Sequence, residues 1–130
     1  MNIASIDHFV ITVESIERTC DFYRRALGMQ IQQFGSIAAP RTALLFGTQK
    51  INLHQRDRIP DPNVLKPTPG AADFCLITTV AMADVVAHLR GLGIPIIEGP
   101  IARTGAVGAI ESIYIRDPDL NLVEIANYLR

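Results

Sequence analysis

The feature that most restricts this chain is an internal repeat. Displaced by 65 positions, DHFVITVESIERTCDFYRRALGMQI lies over ADFCLITTVAMADVVAHLRGLGIPI without a gap, so that Phe9 falls on Phe74, Ile11 on Leu76, Arg25 on Arg90, Leu27 on Leu92 and Gly28 on Gly93. A repeat of this length means one supersecondary unit used twice. The hydrophobic period changes in step in both copies, from alternation over 6–13 and 73–79 to helical spacing. Ile16, Cys20, Tyr23 and Leu27 make one helical stripe; Met82, Val85, Val86, Leu89 and Leu92 make the other. Each helix carries arginine in its last turn, where the dipole is negative, and stops at a glycine able to take the left-handed C′ conformation.

Further strands are expected over 29–34, 41–46 and 50–55 in the first copy and over 94–98, 109–116 and 122–127 in the second. Gly47-Thr48 and Asp117-Pro118-Asp119 supply turns. Each copy reads βαβββ, so the fold class is α+β, a single domain over 1–130 made of modules 1–55 and 71–130. The segment 56–70 holds four of the eight prolines with mixed charges and reads as an exposed linker.

Composition narrows the partners. At 48% hydrophobic residues the chain builds a core without disulfides, and its two cysteines, Cys20 and Cys75, are expected as free thiols. Twelve Lys and Arg against thirteen Asp and Glu leave a net charge of -1, which gives no field for nucleic acid or an anionic membrane. No apolar run approaches the roughly 18 residues of a membrane span, and MNIASIDHFV lacks a basic leader region, so a soluble cytoplasmic protein is expected. There is no P-loop, dinucleotide fingerprint or nucleophile elbow.

Alternation along the strands assigns faces. With Phe9, Ile11, Ile51, Leu53, Phe74, Leu76, Val123 and Ile125 turned toward the helices, the opposite face receives His8, Asn52, His54, Asp73, Cys75 and Glu124. One strand histidine by itself reads as a structural or surface residue. Four strands carrying polar groups on one face read as a site. In the module alignment His8 falls on Asp73 and, with a five-residue insertion, His54 falls on Glu124. A carboxylate inside the apolar run 122–125 is costly to bury unpaired. Two imidazoles with one or two carboxylates suit Zn, Ni, Co, Mn or Fe(II), and not Ca or an iron–sulfur cluster. Ser112, Tyr114 and Arg116 fall on the same face and, with Asn52, are candidate substrate contacts. Arg103, in a glycine-containing loop, is a candidate to grip an anion.

IDHFVITV at the start, FYRRALG at the helix end and DPDLNLVEI near the close resemble the vicinal oxygen chelate superfamily over nearly the whole chain. KINLHQ, PTPGAADFCLIT and RTGAVGAIESIYIRDPD are similar to its glyoxalase-domain-containing protein 5 and virulence-associated glyoxalase-like branch. The resemblance implies a U-shaped mixed sheet with the helices on the convex face, around a divalent transition metal. By position His8, His54 and Glu124 take ligand places. Asp73 stands where glyoxalase I and extradiol dioxygenases usually have histidine. Leu120 stands where the family often has glycine, and leucine resists a positive φ, so another form of that turn is expected. The resemblance also implies a homodimer whose metal sites are shared between subunits.

Three functions follow. In the leading one the protein is a metal-dependent lyase or isomerase of the lactoylglutathione lyase type, acting on a small carbonyl compound or its thiol adduct through a metal-stabilised enediolate, with Glu124 and Asp73 as proton carriers. The second is an extradiol-type dioxygenase using a two-histidine, one-carboxylate set. The third is a binding protein of the bleomycin-resistance type that sequesters a small molecule without chemistry.

Overall fold

A computed structural model describes residues 1–130, and the chain divides into two compact units, Met1–Gly70 and Ala71–Arg130. In the first, β1 (His8–Val13) and α1 (Ile16–Leu27) precede β2 (Gln30–Gly35), β3 (Pro40–Phe46) and β4 (Gln49–Gln55). In the second, β5 (Asp73–Ile77) and α2 (Met82–Gly91) precede β6 (Glu98–Thr104), β7 (Ala109–Arg116) and β8 (Leu122–Tyr128). The sheets run β1-β4-β3-β2 and β5-β8-β7-β6. In each, the first and last strands of the unit pair in parallel and the other neighbours are antiparallel. The repeat in sequence is therefore a repeat of hydrogen-bonding topology, and the fold is α+β with two four-stranded mixed sheets. No helix is long and apolar enough to cross a membrane.

Helix α1 begins where the sequence permits it. Ser15 is extended and its Oγ accepts from the Arg18 N–H at 3.2 Å, a cap worth roughly 1 kcal/mol. Glu17 lies in the first turn, Arg24 and Arg25 lie in the last, and Gly28 closes the helix at φ 67°. The helix packs on β2, β3 and β4, burying Cys20, Tyr23 and Ala26 in the unit that also buries Ile11, Val13, Leu44, Ile51 and Leu53. Helix α2 buries Met82, Val85 and Leu89. Both cysteines are free thiols, Cys20 buried and Cys75 exposed.

One strand lies elsewhere than expected. Residues 94–98 are apolar enough for a strand, but the Ile94 N–H is spent on the Leu89 carbonyl as part of the α2 terminus. Pairing with β7 begins only when the Ile97 N–H reaches the Tyr114 carbonyl, and β6 then runs Glu98–Thr104 with a register shift between Glu98 and Ile101. Gly99 makes this path possible: at φ 101°, a Cβ there would overlap the Ser112 carbonyl oxygen.

The turn between β7 and β8 also departs from expectation. Leu120 does take a positive φ, 68°. Buried Asp117 holds it there, one carboxylate oxygen accepting from the Asp119 and Asn121 N–H groups at 2.9 and 3.0 Å and the other from Asn121 Nδ2 at 2.8 Å. Asn121 in turn accepts from the Ala72 N–H at 2.9 Å, pinning the entry to β5.

Candidate functional site

Strand register decides which polar groups are neighbours. In the first unit His8 pairs with Lys50, Val10 with Asn52 and Thr12 with His54 across β1 and β4. In the second Asp73 pairs with Leu122 and Cys75 with Glu124 across β5 and β8. His8 is therefore diagonal to Asn52, two residues on, as Asp73 is diagonal to Glu124. At about 3.3 Å per residue and 4.8 Å between strands, each diagonal spans roughly 8 Å between Cα atoms.

This corrects the equivalence drawn from sequence. The counterpart of Glu124 is Asn52 and not His54, which lies two residues farther along β4. His54 stands about 14 Å from His8 between Cα atoms, with the Val10–Asn52 row between them. Its Nε2 lies 3.2 Å from Arg41 Nη2, so the imidazole is neutral with its proton on Nδ1. Burial, and secondarily the Arg41 charge, hold the His54 pKa below its ordinary value.

His8 is exposed, and its Nδ1 meets the Asp7 carboxylate at 2.7 Å. Asn52 is 5% exposed and its Oδ1 is buried without a hydrogen-bond partner. A buried amide oxygen left unsatisfied costs on the order of 1–3 kcal/mol, which a bound cation or donor would return. In the second unit, half-buried Glu124 lies between Cys75 and Tyr114 in register, and its Oε2 accepts from the fully buried Ser112 Oγ at 2.6 Å. Burial, and then Glu124, push the Cys75 thiol up to about 11, so it is protonated at neutral pH. Within either unit no group of three or more His, Cys, Asp or Glu side chains converges.

The other candidates fall in different places. Tyr114 lies opposite Glu124 on one side and Glu98 on the other. Arg103 is in β6 rather than a loop: its Nε donates to the Tyr114 hydroxyl at 3.1 Å, its Nη2 lies 3.4 Å from Glu98, and its guanidinium carbon is 5.7 Å from the Tyr114 ring centre. The Tyr114 hydrogen bond raises the Arg103 pKa further. Arg116 is drawn away from the face, donating to the Leu120 carbonyl at 3.2 Å and so bracing the turn. Sequence reasoning missed Asp7 behind His8, Arg41 against His54, and an open cavity of about 850 Å³ in the first unit, bordered by Ile16, Gln33, Arg41, Thr42, Gln55 and Arg58. The register of β3 on β4, which sets odd residues of β3 against even residues of β4, brings Arg41 to the His54 row, and alternation alone does not supply that register.

Residues 5–125 match the family model described as Glyoxalase/Bleomycin resistance protein/Dioxygenase superfamily. The chain belongs to this superfamily. Within it, the chain is 49% identical over 128 residues to the glyoxalase domain-containing protein RDO1 of Mycosarcoma maydis, covering 98% of this chain and 70% of that one. It is 50% identical over 129 residues to the virulence protein STM3117 of Salmonella typhimurium, covering 99% and 88%. The crystal structure of STM3117 superposes with a TM-score of 0.95 over 99% of this chain and 100% of that chain. The fold is shared with a lactoylglutathione lyase from Agrobacterium tumefaciens, TM-score 0.72 at 19% identity over 98% and 96% of the chains. It is shared equally with TnmS3, an antibiotic binding protein from a Streptomyces species, TM-score 0.76 at 18% identity over 99% of both.

Proposed function

We propose that the protein is a metal-dependent lyase or isomerase of the glyoxalase type, with His8 of the first unit and Asp73 and Glu124 of the second as donors to a divalent transition metal, and Asn52 Oδ1 as the donor of β4 in place of His54. The observation that carries the reading is the repeated diagonal, His8 with Asn52 and Asp73 with Glu124, one member of which is a buried amide oxygen with nothing bonded to it. The donor set fits the ion. Asp7 holds Nδ1 of His8, which leaves Nε2 as the ligating nitrogen, an arrangement typical of a metal-bound imidazole, and mixed nitrogen and oxygen donors suit Ni, Zn, Co, Mn or Fe(II). A homodimer is part of the proposal, with light scattering as its check.

A divalent ion would supply Lewis-acid polarisation of the oxygens of a small carbonyl compound or its thiol adduct. The chain supplies the proton transfer. Ser112 donates to Glu124 Oε2 and fixes the carboxylate that accepts a proton from the carbon beside the carbonyl. Asp73, exposed on the neighbouring strand, serves as the second proton carrier. Tyr114, in register with Glu124 and hydrogen bonded through its hydroxyl to Arg103, presents its ring to the substrate.

Calorimetric titration of chelator-treated protein with Ni, Co, Zn, Mn and Fe(II) tests the reading. Uptake of one ion per chain, lost in His8→Ala and in Asp73→Ala and kept in His54→Gln, is the expected result. Absence of uptake overturns it and leaves small-molecule binding without metal chemistry as the better account. With metal bound, turnover of an α-oxoaldehyde or its thiol adduct that Glu124→Gln abolishes supports proton transfer at Glu124, and oxygen consumption with a catechol would redirect the assignment to an extradiol dioxygenase.

A further inference from the structure

One face of the first sheet carries two cations that form no ion pair with a carboxylate. Arg41 of β3 and Lys50 of β4 are both half-buried, and neither forms an ion pair. Both instead lie against one ring: the Arg41 guanidinium carbon is 5.3 Å, and the Lys50 Nζ 4.1 Å, from the centre of Phe34, the β2 residue in register with Arg41. The hydrogen-bond partner of Arg41 is the imidazole of His54, which accepts through Nε2 and brings no negative charge.

Two cations stacked on an aromatic surface beside a neutral acceptor leave a site of net positive charge partly withdrawn from water, where each charge interacts more strongly than in bulk solvent. Arg41 keeps most of its five N–H donors for another group. The Asn52 row, with its buried unpartnered oxygen, is the next along β4 from the Arg41–His54 row, about 7 Å away. That spacing suits a small molecule that places a reactive oxygen at one row and an anionic group at the other.

We infer that Arg41 and Lys50, held over Phe34, bind a carboxylate of the substrate, so that the carbonyl compound is an oxo acid rather than a neutral aldehyde. The inference deepens the lyase reading and rests on it for the identity of the reacting group, but the anion site itself needs no metal. Arginine presents a planar fork that matches carboxylate geometry, and Lys50 adds a second charge that a neutral compound would leave unused. The apolar ring beneath them keeps the two cations from dispersing into solvent.

Binding of 2-oxoglutarate to chelator-treated protein, followed by calorimetry or by NMR shifts of the Arg41 and Lys50 amides, separates this inference from the metal proposal. Saturable binding is expected, weakened at least about tenfold in Arg41→Gln and severalfold in Lys50→Met, with the neutral dimethyl ester at least tenfold weaker than the acid. Far-UV circular dichroism establishes that both variants are folded, and Lys50→Met carries the test if Arg41→Gln is not. Equal binding of acid and ester, or undiminished binding in the folded variants, overturns the inference. Inorganic phosphate that displaces 2-oxoglutarate and binds more tightly overturns the choice of a carboxylate. Metal uptake without anion binding refutes this inference alone, whereas anion binding without metal uptake refutes only the lyase reading.

Discussion

Replacing Leu120 by glycine is expected to stabilise the protein although it removes a side chain. Leu120 holds φ 68° and is 66% exposed, so its left-handed backbone is a cost and its side chain buries little in return. For an L-residue that conformation costs roughly 1–2 kcal/mol, and glycine takes it without the Cβ penalty. Glycine also gives the unfolded chain more freedom, offsetting about 0.4–1 kcal/mol. The balance is a gain of about 0.7 kcal/mol. With an unfolding entropy of about 2.1 cal/mol/K per residue, that raises the melting temperature of a chain this size by about 3 °C. Differential scanning calorimetry on matched samples measures the shift, and Leu120→Val, β-branched at the same φ, should move it downward. A Leu120→Gly protein that melts at or below the parent temperature would refute the reasoning, because it would mean that the turn relaxes around leucine without strain.

Asp117→Ala removes a buried carboxylate that accepts three hydrogen bonds and strands the Asn121 donors, and should cost about 3 kcal/mol in a denaturant titration. Cys75, with its pKa at about 11 against an ordinary 9.0, should react with iodoacetamide at pH 8 about 100-fold more slowly than a free thiol, and faster in Glu124→Gln; mass spectrometry of the alkylated peptide reads the rate. His54, whose pKa is lowered on folding, contributes stability that is full above about pH 6.5 and lost as the pH falls toward its folded value. The unfolding free energy of His54→Gln, from denaturant titrations, should therefore decline less than that of the parent between pH 7 and 5, with a difference in slope of at most about 1.4 kcal/mol per pH unit.

Most of the architecture was legible because the signals were local and doubled. Ser15 and Gly28 mark α1 from its two ends, and the same alternation appears in both copies, so each supports the other's assignment. What escaped depended on partners distant in sequence. Residues 94–98 have strand composition, but the Ile94 amide was already committed to the helix terminus. Leucine at position 120 argued against a positive φ until the buried Asp117–Asn121 pair supplied the compensation. The pairing of His54 with Glu124 failed for a further reason: an alignment free to open a gap matches polar identity, whereas register is set by the cross-strand hydrogen bonds of β1 with β4. Those bonds select Asn52, an uncharged residue that attracts less notice than a histidine. Alternation did group His8 with Asn52, and Asp73 with Glu124, on one face of each sheet, as the strand registers have them.

The parallel pairing of the first and last strands in each unit bears on the order in which the chain folds. Strands β2, β3 and β4 join through neighbours in sequence, while β1 meets β4 only after the helix and two strands between them have been traversed. Contacts of such long sequence separation carry the greatest loop-closure entropy and form late. The rows that hold His8 with Asn52, and Asp73 with Glu124, cross this seam. A ligand bridging it would close the unit at the step that entropy opposes most, and fraying of β1 or β5 alone would take the candidate centre apart while the hairpins beside it stayed folded.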